Sequence, residues 1–151
     1  MLQIIKLLQL ALLTHHTSAQ MTNLLSSATV SCTKRTAYQS YLNDGGQFTV
    51  ALEYSVSSTE ADSDTYCQFD MGSSQSVQSV YMHQSTRYEG TVAIYITDNA
   101  FSTYFDPSAS ECYRGNNEGI VDCAGTGQYL TLSYVEVAST AFEFTEVFAW
   151  N

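Results

Sequence analysis

Histidine is the side chain most often used for acid–base and metal chemistry near neutral pH, and this sequence offers few copies of it. His15 and His16 lie in an N-terminal segment that we predict is removed, which leaves His83. A zinc site needs several His or Cys ligands, and a Ser-His-Asp triad would have to use His83. No GxSxG, HExxH or phosphate-loop pattern occurs, and the acidic residues show no spacing typical of a glycosidase pair. The sequence therefore favours a protein that is not an enzyme.

One carboxylate near the C-terminal end lies in an unusual position. If residues 141–150 form a regular strand, Glu146 shares a face with four aromatic side chains. Those aromatic residues are Phe142, Phe144, Phe148 and Trp150. A carboxylate in such surroundings is costly unless it is hydrogen-bonded, paired or bound to a metal, and Ca²⁺ is the cation that fits outside the cell. The alternatives are a bulge that turns Glu146 outward, an exposed strand end, or hydrogen bonds from Ser or Thr.

The four cysteines are the remaining groups that form bonds. No CxxC pair points to a metal site, and an even number of cysteines in an exported chain predicts disulfides. Three pairings are possible. The segment between Cys112 and Cys123 is rich in glycine and asparagine and closes easily as a turn, so we favour this pair. The pair Cys32–Cys67 then follows by exclusion.

The first nineteen residues have the pattern of a secretory signal peptide. Lys6 supplies the positive charge, residues 7–13 form a short apolar core, and Thr17-Ser18-Ala19 precedes a cleavage site at Gln20. An amphipathic helix is the alternative interpretation. The apolar run is too short to span a bilayer, and no other stretch is longer. We expect a secreted, extracellular protein without a membrane span.

The composition is that of one acidic domain. Of 151 residues, 44% are apolar and 13% are charged, and the net charge is −10. Such a length fits a single domain with a packed core. A surface this acidic repels phosphate groups, which argues against nucleic acid and anionic lipid as partners.

Alternation of apolar and polar residues predicts six or seven short strands and no long helix. The strand candidates are residues 48–56, 67–71, 77–83, 91–97, 129–137 and 141–150. Residues 98–127 are predicted to form a long irregular loop that the Cys112–Cys123 disulfide closes. This arrangement predicts a β-sandwich or an open barrel.

Short motifs follow one another along the chain in a recognisable order. They are Ala28-Thr29-Val30-Ser31, Asn43-Asp44-Gly45, Cys67-Gln68-Phe69-Asp70-Met71-Gly72, Val77-Gln78-Ser79-Val80-Tyr81-Met82, Arg87-Tyr88-Glu89-Gly90, Gly127-Gln128-Tyr129-Leu130 and Phe142-Glu143-Phe144-Thr145-Glu146-Val147. Their order resembles that of the discoidin, or coagulation-factor type C, family, and within it the fucose-binding F-type lectins. The resemblance extends over about residues 28–150, and Cys112 and Cys123 stand where the family has a disulfide.

The resemblance implies an all-β fold, a jelly-roll-like antiparallel β-sandwich of the galactose-binding-like type. We place it in residues 28–151, after a signal peptide (1–19) and an N-terminal lead-in (20–27). The family also implies a structural Ca²⁺ held by an early Asp-Gly loop and by the glutamate of the closing strand. Asp44 and Glu146 match these two positions.

The resemblance also implies a sugar site in the loops at one end of the sandwich. The lectins use a His in the loop before the Cys67-like strand, and an Arg-x-Asp sequence followed by another Arg or Lys. Here Arg87 matches the last basic position, but Gln84 and Thr86 stand where Arg and Asp would be. The early loop lacks the His, so the fucose motif is degenerate. The candidate ligand-binding residues are Arg87, His83, Gln84, Tyr113 and Arg114.

Two functions of different classes remain open from the sequence. The first is a secreted, lectin-like module that binds a glycan or glycoprotein. The second is a structural or adhesive extracellular protein that keeps the sandwich, binds no sugar and self-associates.

Overall fold

The structure is a computed structural model that describes residues 22–33, 42–43, 66–84, 90–101, 109–116, 119–137 and 144–151. These ranges contain six strands: β1 (Thr29–Cys32), β2 (Tyr66–Gln84), β3 (Gly90–Thr97), β4 (Glu111–Gly115), β5 (Gly119–Val137) and β6 (Phe144–Trp150). They contain no helix with the length and hydropathy of a bilayer-spanning segment. The predicted signal peptide, the predicted strand 48–56, and the candidate residues Asp44 and Arg87 lie outside the described residues.

Every pairing between the six strands is antiparallel, and two long strands connect the two layers of the sandwich. β2 and β5 each have 19 residues, well above the usual strand length. The first layer has the order β1-β2-β5-β3-β4 and uses the first part of β2 and the second part of β5. The second layer consists of the first part of β5, the second part of β2, and β6.

A bulge in β2 separates the two layers. Asp70 pairs with Tyr129, and the next pair is Gln75 with Gly127, so β2 carries several extra residues between them. Gly72 lies in this bulge with φ of 76°, a backbone conformation that glycine adopts easily, and its N–H donates to the Asp70 carboxylate at 2.8 Å. The two strands that the sequence predicts at 67–71 and 77–83 are therefore parts of one strand.

The hydrophobic core lies between the two layers. Phe69, Leu130 and Ile94 come from the first layer, and Val80 and Val147 come from the second; each of these side chains is completely buried. Residues of alternate positions along each strand face this core, as a period of two requires. The prediction of an antiparallel β-sandwich is confirmed, and so is the prediction of two disulfides.

The two disulfides have different positions in the sandwich. Cys32 and Cys67 are register partners in β1 and β2, with Cα atoms 4.1 Å apart, so this bond lies within the first layer. Cys112 in β4 and Cys123 in the first part of β5 have Cα atoms 4.9 Å apart, and their bond joins the two layers. Both predicted pairings are confirmed.

The prediction that residues 98–127 form an irregular loop is wrong for much of that range. The segment contains β4 and the first part of β5. Its glycines read as turn signals in the sequence, but two of them serve close packing instead. A Cβ on Gly127 would come within 2.6 Å of the Thr97 backbone, and a Cβ on Gly125 within 3.0 Å of the Ile96 side chain. Glycine at these positions lets β5 approach β3 closely.

Candidate functional site

Strand ends and short connections gather at one end of the sandwich. β2 ends at Gln84, which pairs with Phe144 at the start of β6, and Met82 pairs with Gly119 at the start of β5. β3 begins and β4 ends at the same end, because short connections join β2 to β3 and β4 to β5. We call this the Gln84 end. Loops at such an end lie on the surface and can hold a ligand without disturbing the sheets beneath them.

His83 is half-buried at the Gln84 end, on the outer face of the second layer. Its neighbours Met82 and Val80 are completely buried and face the core, so the alternate positions Tyr81 and His83 face outward. Gln84 is the next and last residue of β2. The structure therefore places these two candidate residues where the β2–β3 connection begins, immediately before the segment that contains Arg87.

Glu146 is the register partner of His83. Glu146 shares a face of β6 with Phe148 and Trp150, as the sequence predicts, but this face points outward, because Val147 and Ala149 face the core. The side chain is nevertheless only 3% exposed, and both carboxylate oxygens are shielded from solvent. Facing positions in antiparallel strands place Cβ atoms about 5 Å apart, so a carboxylate and an imidazole meet here.

The burial of Glu146 decides between the arrangements that the sequence leaves open. The strand pairing has an irregularity between His83 and Gln84, next to this residue. It does not turn the carboxylate into solvent, and the strand continues to Trp150. An exposed strand end and a bulge that frees the side chain are therefore both excluded.

The segment around Asn43 connects the early Asp-Gly motif to the closing strand. The Asn43 side-chain amide donates to the carbonyls of Leu25, at 2.5 Å, and Ala28, at 2.9 Å. The same N-terminal turn is bonded to β6, because the N–H of Leu24 donates to the carbonyl of Ala149 at 2.8 Å. Asp44 follows Asn43 directly in the sequence. Among the residues that the structure describes, no group of three or more His, Cys, Asp or Glu side chains could hold a metal ion.

Tyr113 and Arg114 lie near the end of β4 and point to opposite faces. The Tyr113 ring packs against the core, and its hydroxyl lies over Gly115, where a Cβ would collide with it. Arg114 pairs with Ala93 on the outer face of the first layer. Since His83 is on the outer face of the second layer, the fold brings His83 next to Glu146 but puts Arg114 on a different surface.

Arg114 and Glu111 form a bidentate ion pair. Nε donates to both carboxylate oxygens, at 2.9 and 3.1 Å, and Nη2 donates to Oε2 at 2.5 Å. The Tyr95 hydroxyl donates to the same carboxylate at 3.3 Å. The hydrogen bond from Arg114 holds the pKa of Glu111 below its ordinary value of 4.5, against the opposing effect of burial. A ligand at Arg114 would therefore meet a guanidinium already oriented by Glu111.

Sequence reasoning placed Phe148 and Trp150 on one face of the last strand, but it did not connect them to Tyr81 or identify the outer faces of the two layers. Phe101 lies against Tyr95 and Tyr66, with ring centroids 5.5 and 6.1 Å away, and covers part of the first layer. On the second layer, Phe148 lies 5.7 Å from Tyr81 and 5.9 Å from Trp150. Period-two alternation could have found the second group, because Tyr81 is out of phase with Val80 and Met82.

Comparisons with known proteins find similarity of fold but no match in sequence. No protein-family model and no curated protein matches the sequence. Among solved structures, chitosan-binding module 1 of a chitosanase/glucanase from Paenibacillus sp. IK-5 is similar, with a TM-score of 0.63 and 20% identity over 86% of this chain and 99% of the module. CpGH89CBM32-5 from Clostridium perfringens, solved with GalNAc-β-1,3-galactose, has a TM-score of 0.61 and 11% identity over 86% of this chain and 100% of that one.

A third neighbour is the CBM32 module of AlyQ, solved with 4,5-unsaturated mannuronic acid. Its TM-score is 0.58, with 18% identity over 82% of this chain and 94% of the module. These likenesses confirm the galactose-binding-like sandwich that the resemblance implies.

Proposed function

We propose that this chain is a secreted carbohydrate-binding module of lectin type. The observation that supports the proposal most strongly is the near-complete overlap of its fold with solved binding modules, whose whole length it matches. Other solved modules of this fold contain different sugars, so the shared sandwich does not by itself select a ligand. The residues in the loops must therefore determine which sugar binds.

The proposed sugar site is at the Gln84 end and uses the β2–β3 connection. His83 and Gln84 lead into this connection, and Arg87 supplies a cation within it. Sugar hydroxyls accept hydrogen bonds from cationic donors, and such bonds are stronger than neutral ones. Arg87 is thus the residue that retains the F-type lectin pattern in an otherwise degenerate motif. Arg114, held in place by Glu111, adds an oriented cation at the same end of the sandwich, on the outer face of the first layer.

We further propose a structural Ca²⁺ with Glu146 and Asp44 among its ligands. Glu146 provides a buried carboxylate, and oxygen donors are the ligands that Ca²⁺ prefers. The hydrogen bonds of Asn43 and Leu24 support the proposal, because they hold the beginning of the Asp-Gly motif close to β6. A cation bound there would tie the early loop to the closing strand and so stiffen the base of the sugar site.

The proposed activity is binding without turnover. His83 is the histidine of the mature chain, and its register partner Glu146 is buried away from solvent, where no substrate reaches it. A sugar bound at the Gln84 end would therefore be held and released unchanged.

The experiment is a glycan array with the mature chain, followed by calorimetric titration of the sugars that bind. We expect saturable binding that the variant Arg87→Ala weakens at least tenfold, as the loss of a charged hydrogen bond predicts. The comparison variant is Arg35→Ala, which removes the same charge at a position that is not among the candidate ligand-binding residues. No binding at millimolar sugar together with self-association would support the structural or adhesive alternative instead.

A further inference from the structure

The outer face of the second layer carries an apolar band that crosses all three strands. Ile120 of β5 pairs with Tyr81 of β2, and Tyr81 pairs with Phe148 of β6, so the three side chains form one row. Ile120 is 69% exposed, and the two rings are half-buried. Contiguous apolar patches that are bordered by polar residues often mark a binding surface.

The next row of register partners contains an aromatic ring and a carboxylate. Ser79 of β2 pairs with Asp122 on one side and with Trp150 on the other. Since neighbouring strands are about 4.8 Å apart, Trp150 and Asp122 lie roughly 10 Å apart across the sheet. The Trp150 ring is nearly parallel to that of Phe148, with an interplanar angle of 17°. Asp122 is exposed to solvent.

An open depression of about 680 Å³ lies beside this row. Its lining residues belong to β2 and β5, and most carry a hydrogen-bonding side chain: Ser76, Gln78, Ser79, Asp122 and Thr126. Between the pairs Val77–Gly125 and Ser79–Asp122, β5 carries one extra residue, and such a bulge bends the strand at this point. The apolar band therefore borders a polar depression that contains the Asp122 carboxylate.

We propose that this face is a second ligand site and that it binds a chain of sugars carrying ammonium groups. The apolar face of a pyranose ring packs on Trp150, while hydroxyl groups bond to the polar side chains of the depression. An ammonium group on the neighbouring sugar forms a charged hydrogen bond with Asp122. An acidic sugar would be repelled by the same carboxylate.

The charge of the whole chain supports this choice of ligand. The net charge is −10, so a polycation is attracted at long range, and a neutral or anionic polymer is not. Arg114, the one Lys or Arg whose side chain the structure describes, is bound to Glu111 on the outer face of the other layer. No cation among the described residues therefore opposes an ammonium group at Asp122.

The second site is separate from the site proposed at the Gln84 end. The first site uses loops at the end of the sandwich, and the second uses a sheet face two rows further along β2. Substitutions can therefore test the two sites independently. Arg87→Ala is expected to leave binding at the sheet face unchanged, and Asp122→Asn is expected to leave binding at the Gln84 end unchanged.

The experiment compares two ligands of equal length that differ in charge, the glucosamine trimer and the N-acetylglucosamine trimer. Calorimetric titration of the mature chain is expected to show tighter binding of the glucosamine trimer. That preference should disappear between roughly 0.01 M and 1 M salt, because the Debye length falls from about 30 Å to about 3 Å. Asp122→Asn is expected to weaken binding of the glucosamine trimer about fivefold and to leave binding of the acetylated trimer unchanged.

The matched control is Asp98→Asn, which removes another exposed carboxylate that does not line the depression. Trp150→Ala is expected to weaken both trimers, and thermal unfolding of each variant shows whether the fold is retained. Equal binding of the two trimers, or an unchanged affinity in Asp122→Asn, would overturn the second site. Glucosamine binding that Arg87→Ala abolishes and Asp122→Asn preserves would assign the ligand to the Gln84 end instead. Absence of binding to either trimer, with binding of other sugars retained, would overturn the second site alone.

Discussion

Removal of the Cys112–Cys123 disulfide is a strong test of how the two layers are held together. Among the described strands, β4 is at the edge of the first layer and pairs with β3 alone, through the register pairs from Val92–Gly115 to Tyr95–Glu111. The disulfide is its covalent link to the second layer. The double variant Cys112→Ala/Cys123→Ala breaks this link and leaves the other disulfide intact.

The size of the effect follows from the length of the loop that each bond closes. The two cysteines are 11 residues apart, and loop-closure entropy for that length corresponds to about 3 kcal/mol in the free energy of unfolding. Cys32 and Cys67 are 35 residues apart, which corresponds to about 4 kcal/mol. For a chain of this size, a loss of about 3 kcal/mol lowers the melting temperature by roughly 10 °C.

Urea unfolding gives the change in the free energy of unfolding, and hydrogen exchange shows which strands lose protection. We expect the amides of β4 to lose protection before those of β2, because β4 then depends on its pairing with β3. The variant Cys32→Ala/Cys67→Ala is the control. When it is compared with the wild type under conditions that give both the same free energy of unfolding, the protection of the β4 amides should be similar. A loss below about 1 kcal/mol, or equal deprotection of β2 and β4, would refute the reasoning.

Three further predictions concern packing, pH and metal. Gly127→Ala should cost about 2 kcal/mol in urea unfolding because the new Cβ meets rigid backbone at 2.6 Å, whereas Gly125→Ala meets a flexible side chain at 3.0 Å and should cost less. The lowered pKa of Glu111 means that its contact with Arg114 stabilises the fold above pH 4.5 and is lost as pH falls through the lower, folded-state pKa. Glu111→Gln should therefore flatten the acid limb of the stability curve. Ca²⁺ should raise the melting temperature of the mature chain, chelation should lower it, and Glu146→Gln should abolish the difference.

Each of these three has a contradicting result. Equal costs for the two glycine variants would show that β5 can move away from β3. An acid limb that Glu111→Gln leaves unchanged would mean that other carboxylates control it. A melting temperature that is the same in calcium and in chelator would remove the metal from the account.

The strands at the centre of the sandwich were predictable because each has a clear pattern of its own. The candidate at residues 91–97 agrees with β3, and residues 129–137 form the second part of β5. Both segments are rich in β-branched and aromatic residues, so local preference and tertiary packing agree. The Cys112–Cys123 pair was predictable for a related reason, because a short turn-rich segment brings its ends together.

The continuity of the long strands was not predictable from periodicity. The polar residues around Gly72 interrupt the alternation, yet the chain continues through them as a bulge that Asp70 stabilises. The glycine-rich start of β5 has low strand preference, and the close approach to β3 that requires these glycines is a tertiary property.

The candidate site was predictable only in part. The anomaly at Glu146 appears in the sequence because one polar residue interrupts an aromatic pattern, and the structure confirms its burial on that face. Its position opposite His83 depends on the register between β2 and β6, which the sequence does not specify. The apolar band was missed for the same reason: alternation puts Tyr81 on the face opposite Val80 and Met82, but its pairing with Phe148 depends on that register.

The most direct test of the central claim is a titration of the ¹⁵N-labelled mature chain with the neutral oligosaccharide that binds best on the array. The account predicts saturable shifts that are largest for the amides of His83, Gln84, Arg87 and Arg114, and small shifts at the opposite end near Asp98. Unchanged spectra at millimolar concentrations of every sugar tested would contradict the claim that this chain binds carbohydrate. Shifts confined to the Asp98 end would contradict the proposed location of the site.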